Sequence, residues 1–301
     1  MSITPPYLQK GDRVAIVCPA KKLPQPMDDA VALLQSWGLE VVLGETVTAS
    51  CHQFAGDDAL RAQDLQRYVN DDTIKAIFAA RGGYGTVRII DSVDFSRLIT
   101  HPKWIIGFSD ITVLHAHLFT NYGLQTIHGQ MPINIPDATV PSLETLRKAL
   151  LGQELTYEIT PHPLNRTGHA EGVLIGGNLA ILLSLSGSVS DYNYDGKILF
   201  IEDVGEYLYS IDRMLYTLKR AGKLKNLAGL IVGGFTDLKD NDIPFGQTAQ
   251  EIIRAIVEEY DYPVCFDFPA GHVRDNWALV MGRKVKLLLQ SSNSLVSLTN
   301  F

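Results

Sequence analysis

Along the first 130 residues, short apolar runs alternate with longer amphipathic stretches, the spacing of strand followed by helix. Residues 13–18 read as a buried strand, 28–37 as a helix stopped by Gly38, and 40–43 as a second strand. Residues 57–69 read as a helix whose acidic first turn suits the positive end of the helix dipole. The next strand, 74–80, runs into Arg81-Gly82-Gly83-Tyr84-Gly85 and a short helix through Ile90. A strand at 104–107, a helix at 110–121 and a strand at 125–128 complete the series. Such alternation with short connections predicts an α/β fold with a parallel sheet covered by helices on both faces. Functional loops in these sheets lie beyond the C-terminal strand ends. Both glycine-bearing segments, 81–85 and 107–110, fall there.

Pro132, Pro136 and Pro141 break the pattern. We therefore divide the chain into an α/β domain over 1–135, a linker region over 136–165 that includes a helix at 142–151, and a second domain over 166–301. In the second domain, strand-like runs at 172–175, 198–201, 230–232, 264–266, 278–280 and 285–289 mix with helices at 179–185, 210–221 and 248–259. This predicts a smaller mixed α+β or barrel-like domain.

With 301 residues the chain has ample core for two domains. Its composition, 46% hydrophobic and 20% charged, is that of a soluble globular protein. The net charge of −7 and the lack of a Lys/Arg run argue against a nucleic-acid partner. Gly or charge breaks every apolar segment, so no membrane span is expected. The start carries neither the basic nor the apolar region of a signal peptide. Cys18, Cys51 and Cys265 are odd in number and scattered, with no disulfide framework, which points to the cytoplasm. The eight histidines show no metal-ligand spacing, and neither metal nor cofactor is expected.

The chemistry concentrates in Trp104-Ile105-Ile106-Gly107-Phe108-Ser109-Asp110-Ile111-Thr112. An apolar run ending in Gly-x-Ser and passing into a helix places one serine on a sharp turn, with oriented amides beyond it. Ser109 is therefore a candidate nucleophile, or else a helix N-cap. Glu202 ends an apolar strand, and a half-buried carboxylate there needs a partner. A histidine N–H is one candidate and Arg213 is the other. His272, in Phe268-Pro269-Ala270-Gly271-His272-Val273, follows a strand on a Pro/Gly turn, as a scaffold-held base or an ordinary polar residue. Ser, Glu and His in this order supply nucleophile, orienting acid and base.

Six segments carry a resemblance: Ala80-Arg81-Gly82-Gly83-Tyr84-Gly85, Gly107-Phe108-Ser109-Asp110-Ile111-Thr112, His128-Gly129, Ile175-Gly176-Gly177-Asn178-Leu179, Phe200-Ile201-Glu202-Asp203-Val204-Gly205-Glu206 and Gly271-His272. In this order they resemble the LD-carboxypeptidase family of serine peptidases, also called murein tetrapeptide carboxypeptidases. The resemblance runs from about Gly11 to Gly282. It implies a Ser109–Glu202–His272 triad, a flavodoxin-like N-terminal domain, a smaller C-terminal domain and a site between them completed in a homodimer. It further implies an oxyanion hole from the Asp110 amide and one amide of the glycine-rich loop, which we place at Gly83. The implied reaction releases C-terminal D-Ala from the L-centre of a cytoplasmic muropeptide, a small peptide substrate, through an acyl-enzyme in wall recycling. Many family members carry Gly-His-Gly at the base; this chain has Gly271-His272-Val273.

Arg81 at the strand end is a candidate receptor for the substrate carboxylate, or else an ion-pair partner of an acidic neighbour. Tyr84 either walls the same pocket or packs. Asn178 reads as a helix cap or a backbone clamp. Tyr207, Tyr209 and Tyr216 read as core or interface residues. Two rival functions remain: a microcin C7 self-immunity peptidase cleaving a peptidyl-nucleotide amide, and a non-catalytic ligand-binding protein using the cleft between domains. A glutamine amidotransferase would need cysteine at position 109.

Overall fold

The structure, a computed structural model, describes residues 2–290 and 296–300; the outer ends of the two expected domains, Met1, 291–295 and Phe301, lie outside the described residues. The first sheet forms from the runs that the hydrophobic pattern marks. In chain order these are β1 (Arg13–Val17), α1 (Asp28–Ser36), β2 (Glu40–Leu43), α2 (Asp58–Asn70), β3 (Ile74–Ala79), β4 (Trp104–Gly107), α3 (Thr112–Tyr122) and β5 (Thr126–His128). Strand order is β2-β1-β3-β4-β5 and all neighbours are parallel. Every residue of β4 is buried, which is why its run has no polar alternation. The order reverses between β1 and β3, and the crevice at such a switch point is where α/β sheets bind ligands.

The second half supplies α4 (Val140–Leu151), β6 (Thr156–Ile159), β7 (Gly168–Asn178), α5 (Leu179–Ser184), β8 (Lys197–Val204), α6 (Leu208–Arg220), β9 (Gly229–Thr236) and α7 (Ala249–Ile256). The strands β10 (Val264–Cys265), β11 (Leu279–Met281), β12 (Lys284–Leu289) and β13 (Val296–Asn300) follow. The second sheet runs β10-β9-β8-β7-β12-β13-β6, parallel from β10 to β7 and antiparallel beyond. Arg166, between β6 and β7, exchanges two backbone hydrogen bonds with Val264 on β10, which nearly closes the sheet into a barrel. Helix α6 buries Ile211, Met214, Leu215 and Leu218, a one-faced helical stripe. Helix α7 starts on a capping box between Thr248 and Glu251.

Two features go beyond the hydrophobic pattern. Strands β6 and β13 are short segments that the pattern does not mark, and β6 is followed at once by Pro161 and Pro163. Strand β11 leaves the second half altogether and pairs antiparallel with β5, Leu279 opposite His128. The chain from β10 to β11 therefore crosses from the barrel to the first sheet, and His272 lies on that crossing. Among the described residues, no helix is long and apolar enough to cross a membrane.

Candidate active site

Phe108 leaves β4 in extended conformation, and Ser109 then takes φ +64, the left-handed region that a serine rarely occupies. A 3₁₀ turn over Ser109–Ile111 leads into α3. The N-terminal caps of this turn and of α3 are Phe108 and Ile111, and neither side chain makes a capping bond. Ser109 is thus free of the capping role and partly exposed. Gly82 lies against it: a Cβ there would stand 3.0 Å from Ser109 Cβ and 3.2 Å from Oγ.

The glycine-rich loop is pinned from beneath at its far end. Buried Asp110 accepts the Thr86 amide at 2.9 Å through Oδ2. Burial pushes its carboxyl pKa up, against the bonds from Thr86 and the nearby Arg61 charge. Arg61, fully buried, donates through Nη1 to the carbonyls of Gly85 (2.9 Å) and Pro19 (2.6 Å) and pairs with Asp58. Below Gly107, His115 Nε2 sits 2.9 Å from the Gly107 carbonyl and Nδ1 2.8 Å from Thr126 Oγ1. A carbonyl only accepts, so Nε2 carries the proton and Nδ1 takes the threonine hydroxyl.

The second sheet delivers charge. Glu202 is fully buried near the end of β8, where the register against β9 shifts between Ile201 and Asp203. Such irregularities re-aim side chains. Its Oε2 accepts His272 Nδ1–H at 2.6 Å and the His272 amide at 3.3 Å. Arg213, the other candidate partner, lies instead over the Tyr209 ring. Gly271 has φ +107, and a Cβ there would come within 2.7 Å of Glu202 Cβ, so only glycine lets the loop rest on the carboxylate. Asn276 Oδ1 takes the Gly271 amide at 2.8 Å, and Thr236 Oγ1 donates to the His272 carbonyl at 3.1 Å. Burial alone would lower the His272 pKa. The hydrogen bond and charge of Glu202, with the charges of Asp203 and Asp237, outweigh it and hold the value above the ordinary one.

Phe108 meets His272 edge-on, ring centroids 5.0 Å apart, which brings the serine turn and the histidine loop together. Ser109 Oγ makes no hydrogen bond to the other described residues. Bonds of this kind often tighten only around substrate. A cleft of about 310 Å³ opens here, lined by Phe108, Gln130, Asn134, Asp237, His272 and Arg274 among others. Larger hollows, about 750 Å³ near Lys219 and Tyr260 and about 610 Å³ near Leu23 and Val47, have no histidine in their lining, whereas the smaller cleft has His272 on its wall. The chemistry, not the volume, selects the smaller cleft.

Arg81 donates through Nη1 to the Lys22 carbonyl at 2.9 Å and meets no carboxylate among the described residues, which goes against its ion-pair alternative. Gly83 is exposed at φ +112 above Lys21. Tyr84 is exposed and tilts against Phe54 with centroids 6.1 Å apart; it packs and does not line the cleft at His272. Asn178 caps α5 through the Ile181 amide and donates to Asp203. Tyr207, Tyr209 and Tyr216 are exposed, which corrects their core reading: they sit on the outward face of α6 and just before it. Sequence reasoning missed Asp203, Asn276 and Arg61. Asp203 bonds the Asn178 side chain and the Ala180 amide, and burial with the Glu202 charge raises its pKa to about 6. The thiols of Cys18 and Cys265 are buried and pushed up to about 12, unsuited to attack. Among the described residues, no group of three His, Cys, Asp or Glu side chains gathers as a metal site.

The LD-carboxypeptidase N-terminal domain profile matches residues 14–129 and the C-terminal domain profile residues 171–287. The chain belongs to the LD-carboxypeptidase family. This LD-carboxypeptidase is 37% identical to the probable murein peptide carboxypeptidase of Bacillus subtilis, over 95% of this chain and 92% of that protein. It is 30% identical to the murein tetrapeptide carboxypeptidase of Pseudomonas aeruginosa, over 91% and 92%. The muramoyltetrapeptide carboxypeptidase of Oxalobacter formigenes superposes with a TM-score of 0.86 at 27% identity, covering 96% of this chain and 98% of that one. The microcin C7 self immunity protein MccF shares the fold, with a TM-score of 0.88 at 22% identity, covering 99% of each chain. As a member of the family the protein is a hydrolase, a serine-type carboxypeptidase.

Proposed function

We propose that the protein removes the C-terminal D-Ala from the L-centre of muropeptide tetrapeptides by a Ser109–His272–Glu202 acyl-enzyme mechanism. His272 Nε2 takes the Ser109 proton as Oγ attacks the carbonyl. Glu202, on Nδ1–H, fixes the tautomer and stabilises the imidazolium. The amides of Asp110 and Gly83 hold the oxyanion at the start of α3. His272 then protonates the departing amine, and water, activated by the same base, releases the acyl group. Arg81, a cation beside the glycine-rich loop that meets no carboxylate among the described residues, takes the terminal carboxylate.

The observation that carries this reading is the 2.6 Å bond from His272 Nδ1 to a fully buried Glu202, in a cleft next to a serine held at φ +64. The relatives' names support the substrate class. The reading extends to a cytoplasmic homodimer acting in wall recycling, built from the segments 1–135, 136–165 and 166–301 as drawn from the sequence.

The test is incubation with muropeptide tetrapeptides and mass spectrometry for free D-Ala. Amidating the terminal D-Ala should cost about 2–5 kcal/mol in kcat/KM, because a guanidinium loses its partner. Arg81→Ala should erase that difference. Equal cleavage of acid and amide refutes carboxylate capture. Cleavage of a peptidyl-nucleotide amide, without D-Ala release, replaces the reading by the microcin immunity activity.

A further inference from the structure

His128, at the end of β5, takes no part in the mechanism above, yet its fully buried ring lies where the elements bearing Ser109, Glu202 and His272 meet. It meets Phe108, which adjoins Ser109, with ring centroids 5.7 Å apart, and Phe200, on β8 with Glu202, edge-on at 4.9 Å. Pairing of β5 with β11 sets Leu279 opposite His128 and brings in Asn276, just upstream of β11. Asn276 is fully buried, and its Oδ1 accepts the Gly271 amide at 2.8 Å, so its carboxamide holds the loop that rests on Glu202. Gly271, at φ +107, lends that loop no stiffness of its own. Asn276 stands near enough to act on the His128 ring, whose pKa burial, with His115 and His272 close by, drives well below the ordinary histidine value. The ring is thus neutral, with one N–H and one lone pair. Neither His128 nitrogen, nor Asn276 Nδ2, has a partner at normal hydrogen-bond length among the described residues. An imidazole between Phe108 and Phe200 carries a desolvation cost that Leu or Phe would avoid, so packing alone does not account for it.

Asn276 Nδ2 is a donor, and the neutral imidazole beside it offers an acceptor. We propose that His128 is a positioning residue for the reaction: its lone pair accepts Asn276 Nδ2–H, which fixes the carboxamide with Oδ1 toward the Gly271 amide and so holds the His272 loop on Glu202. Without that acceptor the carboxamide is free to turn over. Its Nδ2 would then face the Gly271 N–H, donor against donor, and the loop would lift from the carboxylate. The ring acts through Asn276 and does not touch the substrate. This inference rests on the triad reading above and deepens it.

Three variants test it. His128→Leu removes the acceptor, His128→Gln restores one, and Asn276→Ala breaks the chain of bonds while leaving the ring in place. Two quantities are read: kcat and KM for D-Ala release from a muropeptide tetrapeptide, and the His272 pKa by NMR on protein labelled at histidine Cε1. His128→Leu should lower kcat about tenfold with KM little changed, the worth of one hydrogen bond. Its His272 pKa should fall toward the ordinary value. Asn276→Ala should do at least as much, and His128→Gln should recover most of both. Because His128 acts through Asn276, adding His128→Leu to Asn276→Ala should cost nothing more. The charges of Glu202, Asp203 and Asp237 at His272 are present in every variant, so a fallen pKa reports the loop. Normal kcat and an unmoved pKa in His128→Leu or Asn276→Ala, even with a lowered melting temperature, overturn the proposal. So do losses that add in the double variant, or a His128→Gln protein as impaired as Asn276→Ala, a comparison that decides even if His128→Leu does not fold. If the wild type releases no D-Ala, the carboxypeptidase reading fails, and the His272 pKa still decides the role of His128.

Discussion

The two sheets contribute different kinds of chemistry to one cleft. The first sheet supplies backbone: a serine forced to φ +64, a glycine so close that an added Cβ would stand 3.0 Å from Ser109 Cβ, and amides at the start of α3. The barrel and the crossing it sends to β11 supply charge: Glu202, His272, Asp237 and Arg274. Two histidines, His115 buried and His272 half-buried at the cleft, mark the contrast. His115, under the serine turn, has a carbonyl and a hydroxyl for partners, and burial lowers its pKa to about 4. His272 has a buried carboxylate, and its pKa goes up instead. A backbone device needs a neutral, rigid floor, whereas a base needs a neighbour that stabilises its proton.

The largest effect should come from the first sheet. Ser109→Ala removes the nucleophile and leaves the turn, so turnover should fall by about 10⁴- to 10⁶-fold with the melting temperature nearly unchanged. Retention of more than about a tenth of the activity would return Ser109 to a structural role. Exhaustive chelation should leave the wild-type rate intact; loss of activity restored by zinc would replace the serine mechanism.

Glu202→Gln isolates the contribution of the barrel. It keeps the shape and removes the charge, so turnover should drop about 10³- to 10⁴-fold. The pH profile separates mechanism from scaffolding. His272 must be neutral to act, and its pKa is raised, so the acid limb of wild-type kcat/KM should lie above the ordinary histidine value near 6.5. Without the Glu202 charge the limb should move to lower pH. A normal rate, an unmoved limb and a large stability loss together would make Glu202 an ion-pair partner only.

This contrast also explains what the sequence makes legible. Strands β1, β3 and β4 follow from apolar runs, and the Ser109 turn from Gly-x-Ser between strand and helix, because both are set by neighbours in the chain. The choice between His272 and Arg213 as partner of Glu202 depends on a register shift in β8 and on a crossing that inserts β11 beside β5. Neither has a local signature. Arg61 is invisible for the same reason: within a helix of otherwise ordinary charge, nothing announces that its guanidinium is buried under Gly85. The order Ser, Glu, His could be read as a set of roles, but the distances between them belong to tertiary pairing.

A subtler break targets the backbone side alone. Gly82→Ala would put a methyl 3.2 Å from Ser109 Oγ and 3.4 Å from the Asp110 amide, space that an oxyanion would need. The loss expected is that of one oxyanion donor, about 10²- to 10³-fold in kcat, with KM little changed. The acid limb should stay in place, because the histidine's neighbours are untouched. A moved limb would mean that the two halves of the site are coupled through the glycine-rich loop rather than independent.

The smallest effect concerns stability and sharpens the comparison between the histidines. His115 is fully buried with a folded pKa near 4, against about 6.5 in the unfolded chain. Between these values the unfolded chain binds the extra proton, so stability rises with pH there and falls as the solution is acidified from about 6.5 toward 4. The slope from this one group approaches about 1.4 kcal/mol per pH unit. His128, also buried and shifted well down, adds to it in the same direction. His272 works the other way: its raised pKa stabilises the fold below the unfolded value and loses that contribution as pH rises through the folded one. Urea midpoints at pH 7 and pH 5 for wild type and His115→Asn give the check. The variant should start less stable at pH 7, having lost a buried hydrogen bond, and lose less on acidification. Parallel losses in the two proteins would show that His115 does not carry the acid sensitivity, and that the serine turn rests on something other than a neutral imidazole.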